Sequence, residues 1–308
     1  MGKAYIIHEN DEWMEPLRHH LNNLSVPFEE WHMNRANINT LNKPPKGVFY
    51  NRMSASSHSR GHKYAPEYTA VVLNWLELHN KRIINNSRAL ALEVSKSLQY
   101  QELKKQDIDI PRTLYASGKD SILSLGKKIQ PPFLTKHNRA GRGLGINLFK
   151  DYSSFEKYIN SDDFEDSIDG ITLLQEYIKP ATSTIIRTEF IENKFLYAVQ
   201  IDASKGFQLC PADPCQLEDE YCPANETGNK FMILDNYFNP ILDKYKKVLK
   251  KNHIEIAGIE FLKDDDGKVF TYDINTNTNY NSTAEKYSNK KGMQVIAKFL
   301  KKELLKIN

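Results

Sequence analysis

The chain has 308 residues, of which 40% are hydrophobic and 26% charged, and its 42 Lys and Arg against 39 Asp and Glu leave a net charge of +3. This length predicts two or three lobes, and the dispersed, nearly balanced charges indicate neither a nucleic-acid partner nor a membrane surface. No apolar run approaches the roughly 20 residues that cross a bilayer. Because the start MGKAYIIHEN also lacks the apolar core of a signal peptide, we expect a cytoplasmic protein.

The first third of the chain alternates strands and helices. Strands are predicted for Lys3–His8, Val26–His32, Gly47–Tyr50 and Arg82–Asn85, and helices for 11–24 and 66–80. Strands separated by helices are typical of a parallel α/β sheet. We therefore expect a Rossmann-like N-terminal domain over residues 1–88.

Two further lobes are predicted from the rest of the chain. Ser87 is expected to cap a long helix over 88–106, which is followed by the strand FLTKH (133–137), a glycine-rich loop and the strand 171–178. These elements indicate a central lobe over residues 89–180. Beyond it, the longer strands IIRTEFI and KFLYAVQID, the pair flanking DDDG and a last helix over about 292–306 indicate a C-terminal α+β lobe over 181–308.

The segment IAGIEFLKDDDGKVFTYDIN predicts a hairpin that carries oxygen ligands. If Asp266 and Gly267 form a two-residue type I′ turn, Glu260 lies opposite Asp273, and Asn275 projects from the same face. Opposed carboxylates with an amide oxygen suit Mg²⁺ or Mn²⁺, although a solvent-facing acidic hairpin with an asparagine-rich loop remains the alternative. The other face is predicted to be buried, with Ile259, Phe261, Phe270, Tyr272 and Ile274.

The glycine-rich loop 138–145 follows Lys136 and contains Gly141, Gly143 and Gly145. Glycines let backbone N–H groups approach a phosphate closely. The loop has neither the P-loop spacing nor a GxGxxG that leads into a helix. Taken alone, it is more consistent with a plain hairpin loop than with phosphate binding.

The order of these features resembles a known family. Lys96 lies in the helix before IDIPRT, Lys136 precedes the glycine-rich loop, QEYI closes an apolar strand, Arg187 follows, and the acidic hairpin ends the series. In this order the chain resembles the RimK-type carboxylate–amine (glutamate) ligases of the ATP-grasp superfamily, most clearly from Lys96 to Asn275. The resemblance implies an α/β protein in which a Rossmann-like lobe precedes two α+β lobes that sandwich ATP.

The resemblance also implies roles for individual residues. Lys96 and Lys136 would contact the nucleotide phosphates, and the loop with Arg142 and Gly143 would close over them. Arg187 and Lys136 would be the catalytic cations, with Arg187 facing the transferring phosphoryl group. The hinge beside the adenine would be Gln175, Glu176, Tyr177 and Ile178, and the Mg²⁺ (or Mn²⁺) ligands would be Glu260, Asp273 and Asn275.

The activity implied is ATP- and Mg²⁺-dependent amide formation through an acylphosphate, with release of ADP and phosphate, and the family is compatible with a homo-oligomer. Ile185 stands where the family usually has an acidic ribose contact, and FQLCPADPC replaces its Arg-Ser-Asn stretch. These departures leave a second hypothesis open, namely an ATP-binding regulator that lacks the chemistry.

Two segments are candidates for binding a small-molecule or peptide carboxylate and amine. The loop after the third strand carries Arg52, Ser54, His58 and Arg60, and the acidic hairpin runs on into Asn277, Asn279 and Asn281. A polar surface loop is the alternative for the first segment. The thiols Cys210, Cys215 and Cys222 lack the spacing of a zinc site, and we interpret them as loop or packing cysteines.

Overall fold

The structure is a computed structural model that describes residues 2–141, 143–203, 231–286 and 288–307. Its N-terminal part contains a parallel sheet. The strands are β1 (Lys3–His8), β2 (Phe28–His32), β3 (Gly47–Asn51) and β4 (Arg82–Ile84). They lie in the order β2-β1-β3-β4, and every neighbouring pair is parallel. The carboxyl ends of β1, β2 and β3 therefore meet along one edge, where ligand-binding loops of such sheets lie.

The central sheet is antiparallel. It contains β5 (Thr113–Ala116), β6 (Phe133–His137), β7 (Asn147–Phe149) and β8 (Thr172–Glu176) in the order β5-β8-β6-β7. Phe133 belongs to an aromatic cluster on one face of this sheet. Strand alternation turns Leu134 and Lys136 to the opposite face.

A second antiparallel sheet forms the C-terminal part. Its strands are β9 (Thr184–Ile191), β10 (Lys194–Asp202), β11 (Phe231–Leu234), β12 (Ile256–Lys263) and β13 (Val269–Asn275). Their order is β11-β10-β9-β12-β13, so β9 lies beside the predicted acidic hairpin. The three sheets fall in separate stretches of chain, while the exact domain boundaries after residues 88 and 180 stay predictions.

Helices pack on the faces of these sheets. Within the described chain they are α1 (Glu15–Asn23), α2 (Ala65–Leu78), α3 (Ser87–Glu93), α4 (Lys96–Lys104), α5 (Lys119–Gly126), α6 (Tyr152–Asn160), α7 (Ile241–Lys251), α8 (Ser282–Glu285) and α9 (Gly292–Ile307). α1 and α9 cover the face of the first sheet that carries Ile6 and Tyr50, and α2 covers the face with Ile7 and Phe49. Both faces of the parallel sheet are therefore buried, as its continuous apolar strands require. None of the described helices combines the length and the apolarity needed to span a membrane.

The prediction of one long helix over 88–106 is wrong, because this segment forms the two helices α3 and α4. Ser95 has an extended backbone, with φ −147°, and its hydroxyl caps α4 by accepting from the N–H of Leu98. The cap of α3 is Asn86 and not the predicted Ser87, which is the first helical residue. The break places Lys96 at the first turn of α4, where its N–H donates to the carbonyl of Asn138 next to the glycine-rich loop.

The predicted type I′ turn is also wrong. Of the two predicted turn residues, only Gly267 has a positive φ, 77°. The N–H of Gly267 donates to the carbonyl of Asp264, and the N–H of Asp264 donates to the carbonyl of Lys268. This is a three-residue loop with glycine in the left-handed position, the next most common hairpin connection.

The predicted pairing of Glu260 with Asp273 is nevertheless confirmed. A bulge makes this possible, because Phe261 pairs with Thr271 and leaves Tyr272 as the extra residue. The three-residue loop shifts the strand pairing by one residue relative to the predicted two-residue turn. The bulge shifts the pairing by one residue in the opposite direction, so the two shifts cancel. Because of the bulge, the predicted buried face is wrong for two of its residues. Phe270 lies opposite Leu262, and Tyr272 lines the cavity described below.

Candidate active site

A cavity of about 400 Å³, a volume typical of small-ligand sites, is lined by residues of both antiparallel sheets and of the loop after β3. Fourteen of the residues proposed from the sequence as nucleotide, metal or substrate contacts line it: Ser54, Lys96, Lys136, Gly143, Gln175, Glu176, Tyr177, Ile178, Arg187, Glu260, Asp273, Asn275, Asn277 and Asn279. The structure therefore brings the phosphate-contact, hinge, metal-ligand and substrate candidates to one place.

Four candidates for substrate binding lie outside this lining. Arg52 is buried and donates to the Asn279 side chain, 2.8 Å away. Arg60 pairs with Glu9, and His58 contacts the carbonyl of Ala55. Asn281 is the N-cap of α8 and accepts from the N–H of Ala284 at 2.7 Å. The predicted Arg142 and the cysteines Cys210, Cys215 and Cys222 fall outside the described residues.

Arg187, Glu260 and Asp273 form a row across three neighbouring strands. Arg187 on β9 is opposite Glu260 on β12, and Glu260 is opposite Asp273 on β13. The Nη1 of Arg187 lies 2.8 Å from Oε1 of Glu260, and Nζ of Lys96 lies 2.7 Å from Oδ1 of Asp273. Two cations thus flank two neighbouring carboxylates on the cavity wall.

These oxygen atoms fit a divalent cation. Burial raises the pKa of Glu260, and the charge of Asp273 raises it further against the opposing effect of Arg187. The amide of Asn275 lies 3.5 Å from both carboxylates. A half-turn of that amide would present its oxygen beside theirs, and a hard cation held there would relieve the repulsion between the acids. The donor set is therefore suited to Mg²⁺ or Mn²⁺.

Arg187 is held on its other side by residues that the sequence analysis did not single out. Its Nε donates to Glu189 at 2.5 Å, and its Nη2 donates to the hydroxyl of Thr278 at 2.8 Å. That hydroxyl donates in turn to Glu189 at 2.8 Å. Arg187 and Glu189 are both nearly inaccessible, at 4% and 1% exposure, so this network fixes the guanidinium in one orientation.

Gly258 makes room for that orientation. A Cβ atom at this position would lie only 2.5 Å from Nη2 and 2.6 Å from Nε of Arg187. An isolated glycine inside a strand is a signal for such a close approach, and IAGIEF carries it two residues before Glu260. Glu189 could also have been found from the sequence, because it lies two residues after Arg187 on the same strand and therefore projects from the same face.

We expect Gly258→Ala to lower the free energy of unfolding by about 1–3 kcal/mol, because the added methyl group must displace the buried Arg187 guanidinium. Urea denaturation measures this change. Gly141→Ala is the matched control, since its Cβ would meet the Ser56 side chain at an ordinary 3.4 Å. Equal stability of the two variants would show that Arg187 can move without cost.

Lys136 reaches the cavity from the central sheet. Its side chain is 7% exposed, and its Nζ lies 5.2 Å from the ring centroid of Tyr272. Burial, together with the charge of Lys96, lowers the pKa of Lys136 to about 8 against the opposing effect of Asp273 and Glu260. Among the described residues no acid pairs directly with this ammonium, which is the arrangement expected of a group that awaits an anion.

The hinge candidates Gln175, Glu176, Tyr177 and Ile178 line one end of the cavity. The side chain of Gln175 donates to Tyr100 and Thr113 at 3.0 and 2.9 Å, and the carboxylate of Glu176 accepts from the N–H of Arg112 at 2.6 Å. Their side chains are therefore occupied within the protein. Apolar residues complete this end of the cavity, including Leu134, Ile146, Ile178, Ile185 and Leu262. An apolar slot beside the hinge candidates suits a flat heteroaromatic base.

Glu93, another residue that the sequence analysis missed, connects the asparagine-rich end of β13 to the loop after β3. This buried carboxylate accepts from the N–H groups of Ala55, Thr276 and Asn277 at 3.2, 2.6 and 3.3 Å. The side-chain oxygen of Asn277 is buried without a hydrogen-bond partner in the described chain. An acceptor left unpaired beside a cavity is a natural contact for a ligand N–H group.

Comparisons with known proteins agree with this geometry. Residues 93–208 match the family model of the RimK-like ATP-grasp domain. A probable alpha-L-glutamate ligase of Vibrio atlanticus (strain LGP32) is 28% identical over 140 residues, which are 45% of this chain and 46% of that protein. The chain thus aligns with less than half of this relative's length.

Two solved structures share the fold. The ATP-grasp ligase PsnB, in complex with a minimal precursor, Mg and ADP, superposes with a TM-score of 0.64 at 12% identity, covering 98% of this chain and 97% of PsnB. D-alanyl-alanine synthetase A of Vibrio cholerae O1 biovar eltor str. N16961 superposes with a TM-score of 0.68 at 11% identity, covering 99% of both chains. The predicted fold class and the predicted resemblance are confirmed. Residues 93–208 therefore match the RimK-like ATP-grasp domain, and the chain shares the fold of these ATP-grasp ligases.

Proposed function

We propose that this protein is an ATP- and Mg²⁺-dependent ligase that joins a carboxylate to an amine. The observation that carries the proposal is the row Arg187–Glu260–Asp273 on the wall of the cavity that Lys96 and Lys136 also line. A hydroxide ion is a poor leaving group, so a carboxylate must be activated before an amine can displace its oxygen. ATP with Mg²⁺ supplies that activation as an acylphosphate, with release of ADP and then phosphate.

The residues of the chain act by charge and position. Lys136 and Lys96 neutralise phosphate oxygens, and Arg187 stabilises the charge on the transferring phosphoryl group. Glu189 and Thr278 hold Arg187 in place, while Glu260, Asp273 and Asn275 hold the metal. The loop 138–145 covers the phosphates and excludes water, which would otherwise hydrolyse the activated carboxylate.

The test is a product screen with Mg-ATP. The protein is incubated with pooled amino acids and short peptides, released ADP is measured, and mass spectrometry searches for condensed products. The proposal predicts ADP release that depends on both a carboxylate and an amine. ATP binding without any condensed product across the screen would instead favour an ATP-binding regulator, an alternative that Ile185 motivates because an apolar side chain lines the cavity there.

Nucleotide binding should depend on the proton of Lys136. Its pKa in the free protein is about 8, and phosphate oxygens beside the ammonium would raise it. The contribution of Lys136 to affinity is then complete below pH 8 and falls as the pH rises through this value, by at most about tenfold per pH unit. Titration calorimetry with Mg-ATP from about pH 7 to about pH 9 measures the slope, and Lys136→Met should flatten it.

Variants of Asn279 and Asn281 are expected to affect different properties, namely substrate binding for Asn279 and stability for Asn281. Asn279→Ala is expected to raise the KM of the acceptor substrate by about tenfold, because its carboxamide lines the cavity and is oriented by Arg52. Asn281→Ala removes the cap of α8 and should lower the free energy of unfolding by about 1 kcal/mol. Substrate kinetics and urea denaturation of both variants measure the two effects, and a higher KM in Asn281→Ala alone would contradict the assignment.

A further inference from the structure

A second group of side chains with metal-binding chemistry lies in the N-terminal sheet, apart from the acidic hairpin. His8 ends β1, His32 ends β2, and Asp11 lies in the loop after β1. The two strands are parallel neighbours in which His8 is directly paired with His32. One ligand atom of each of the three residues lies within 4.8 Å of the others, the one such group of His, Cys, Asp or Glu in the described ranges.

His8 has the arrangement of a histidine that binds a metal. It is 3% exposed, and its Nδ1 lies 3.3 Å from the carbonyl oxygen of Asn10, which can only accept a hydrogen bond. The proton of the neutral ring therefore belongs on Nδ1, and the lone pair is left on Nε2. This Nε2 is buried and makes no hydrogen bond of normal geometry in the part of the chain that the structure describes, although the carboxylate of Glu30 lies 3.3 Å away. A ring that donates from one nitrogen to a carbonyl and offers the other nitrogen is typical of metal-bound histidine.

Each of the two carboxylates near the His8 and His32 rings is paired with an arginine. The carboxylate of Glu30, 3.3 Å from Nε2 of His8, accepts two hydrogen bonds from Arg18, each 2.8 Å long. Arg35 donates to Oδ2 of Asp11 at 2.7 Å, and both of these residues are exposed. The ion pair with Arg18 neutralises Glu30, whereas Oδ2 of the exposed Asp11 keeps a second lone pair besides the one that accepts from Arg35.

Only small movements would bring the ligands together. The Nε2 of His32 lies 4.0 Å from Oδ2 of Asp11. Zinc–ligand bonds of about 2.0–2.2 Å place tetrahedral ligand atoms roughly 3.5 Å apart, so shifts of about an ångström suffice. Binding through Nε2 would also move the proton of His32 to Nδ1 and break its 3.3 Å contact with the N–H of Asn34.

We propose that His8, His32 and Asp11 form a binding site for a transition-metal cation such as Zn²⁺, separate from the divalent-cation site of the hairpin. Imidazole nitrogen selects zinc and its neighbours in the first transition row, whereas Mg²⁺ prefers oxygen ligands. Three protein ligands leave the fourth tetrahedral position for water.

The site is connected to the loop that carries the substrate-binding candidates. The ring of His62 lies 5.4 Å from that of His32, and its Nδ1 lies 2.8 Å from Glu9. Glu9 also pairs with Arg60, whose guanidinium lies 4.6 Å from the ring centroid of Trp13 on the cavity wall. A metal ion on His32 would therefore hold the carboxyl edge of the sheet rigid beside the cavity.

The test is equilibrium dialysis of the full chain against Zn²⁺ in excess Mg²⁺, with bound zinc counted by atomic spectrometry. We expect one zinc ion per wild-type chain and affinity lower by at least about tenfold in His32→Gln and in Asp11→Asn. Both residues are more accessible than His8, so these variants are expected to fold, which circular dichroism checks. His253→Gln, an exposed histidine elsewhere, is the matched control and should keep the zinc.

A second variant separates this site from the hairpin. Glu260→Gln/Asp273→Asn should still bind one zinc ion, and Co²⁺ in its place should show the absorption of tetrahedral nitrogen and oxygen coordination. Zinc lost from the hairpin variant but kept by His32→Gln would overturn the proposal, and so would a wild-type chain that takes up no zinc.

Discussion

Replacing Lys136 with Met is expected to lower the ATP turnover of this protein by about 10²–10³-fold, since removing one preorganised charge from a transition state has an effect of this size. The ammonium is buried against the cavity and has no acid bonded to it among the described residues, so its charge is free to act on a phosphate. Methionine preserves the length and the apolar stem. The measurement is ADP release with the substrates that the product screen identifies.

The fold should tolerate this replacement. The lowered pKa of Lys136 shows that its environment disfavours the ammonium, so a neutral side chain of equal length is expected to leave the free energy of unfolding unchanged or higher. Lys157→Met is the matched control, because Lys157 is exposed on α6 away from the cavity. Wild-type turnover in Lys136→Met would remove the lysine from the proposed mechanism.

The hairpin shows what strand periodicity can predict. Alternation alone placed Asp273 and Asn275 on one face of β13 and put Glu260 and Ile259 on opposite faces of β12, because side chains of a strand alternate strictly. The relation between the two strands came from the assumed turn. The turn type was wrong, and the bulge at Tyr272 was unforeseen, since neither leaves a distinct trace in the hydrophobic pattern. Register near the turn therefore could not be predicted, and the pairing of Glu260 with Asp273 was right only because the wrong turn length and the unforeseen bulge cancel.

The break between α3 and α4 was missed for a different reason. The sequence around Ser95 has a helical pattern on both sides, and a serine inside such a pattern is compatible with either a helix interior or a cap. The carbonyl of Asn138, which receives the N–H of Lys96, comes from a loop more than forty positions away in the chain. Local propensity could not select the cap, because that contact is tertiary.

The surroundings of Arg187 depend on which strands become neighbours. Periodicity shows which face of β9 carries Arg187, but it does not show that β12 lies beside β9. Without this adjacency, neither the contact with Glu260 nor the close approach to Gly258 can be predicted. The resemblance to a family supplied the order of the site residues, and only the structure supplied the residues that support them.

Replacing Arg187 with Met is expected to lower the free energy of unfolding by about 3–5 kcal/mol and to abolish turnover. Arg187 is bonded to Glu189 and Glu260, and its removal leaves both buried carboxylates without their cation. Urea denaturation measures the stability, and product formation measures the turnover. Arg187→Lys keeps the charge but cannot reach Glu189, Glu260 and Thr278 together, so its stability should lie between those of Met and the wild type.

Glu260→Gln separates the structural role of this network from its chemical role. Arg187 keeps Glu189 in this variant, so the fold should lose less stability than in Arg187→Met, while one of the proposed metal ligands loses its charge. We therefore expect weaker Mg-ATP binding on a nearly intact fold. If Arg187→Met unfolded within about 0.5 kcal/mol of the wild type, the buried network would contribute no net stability, and its geometry would have to be explained by catalysis alone.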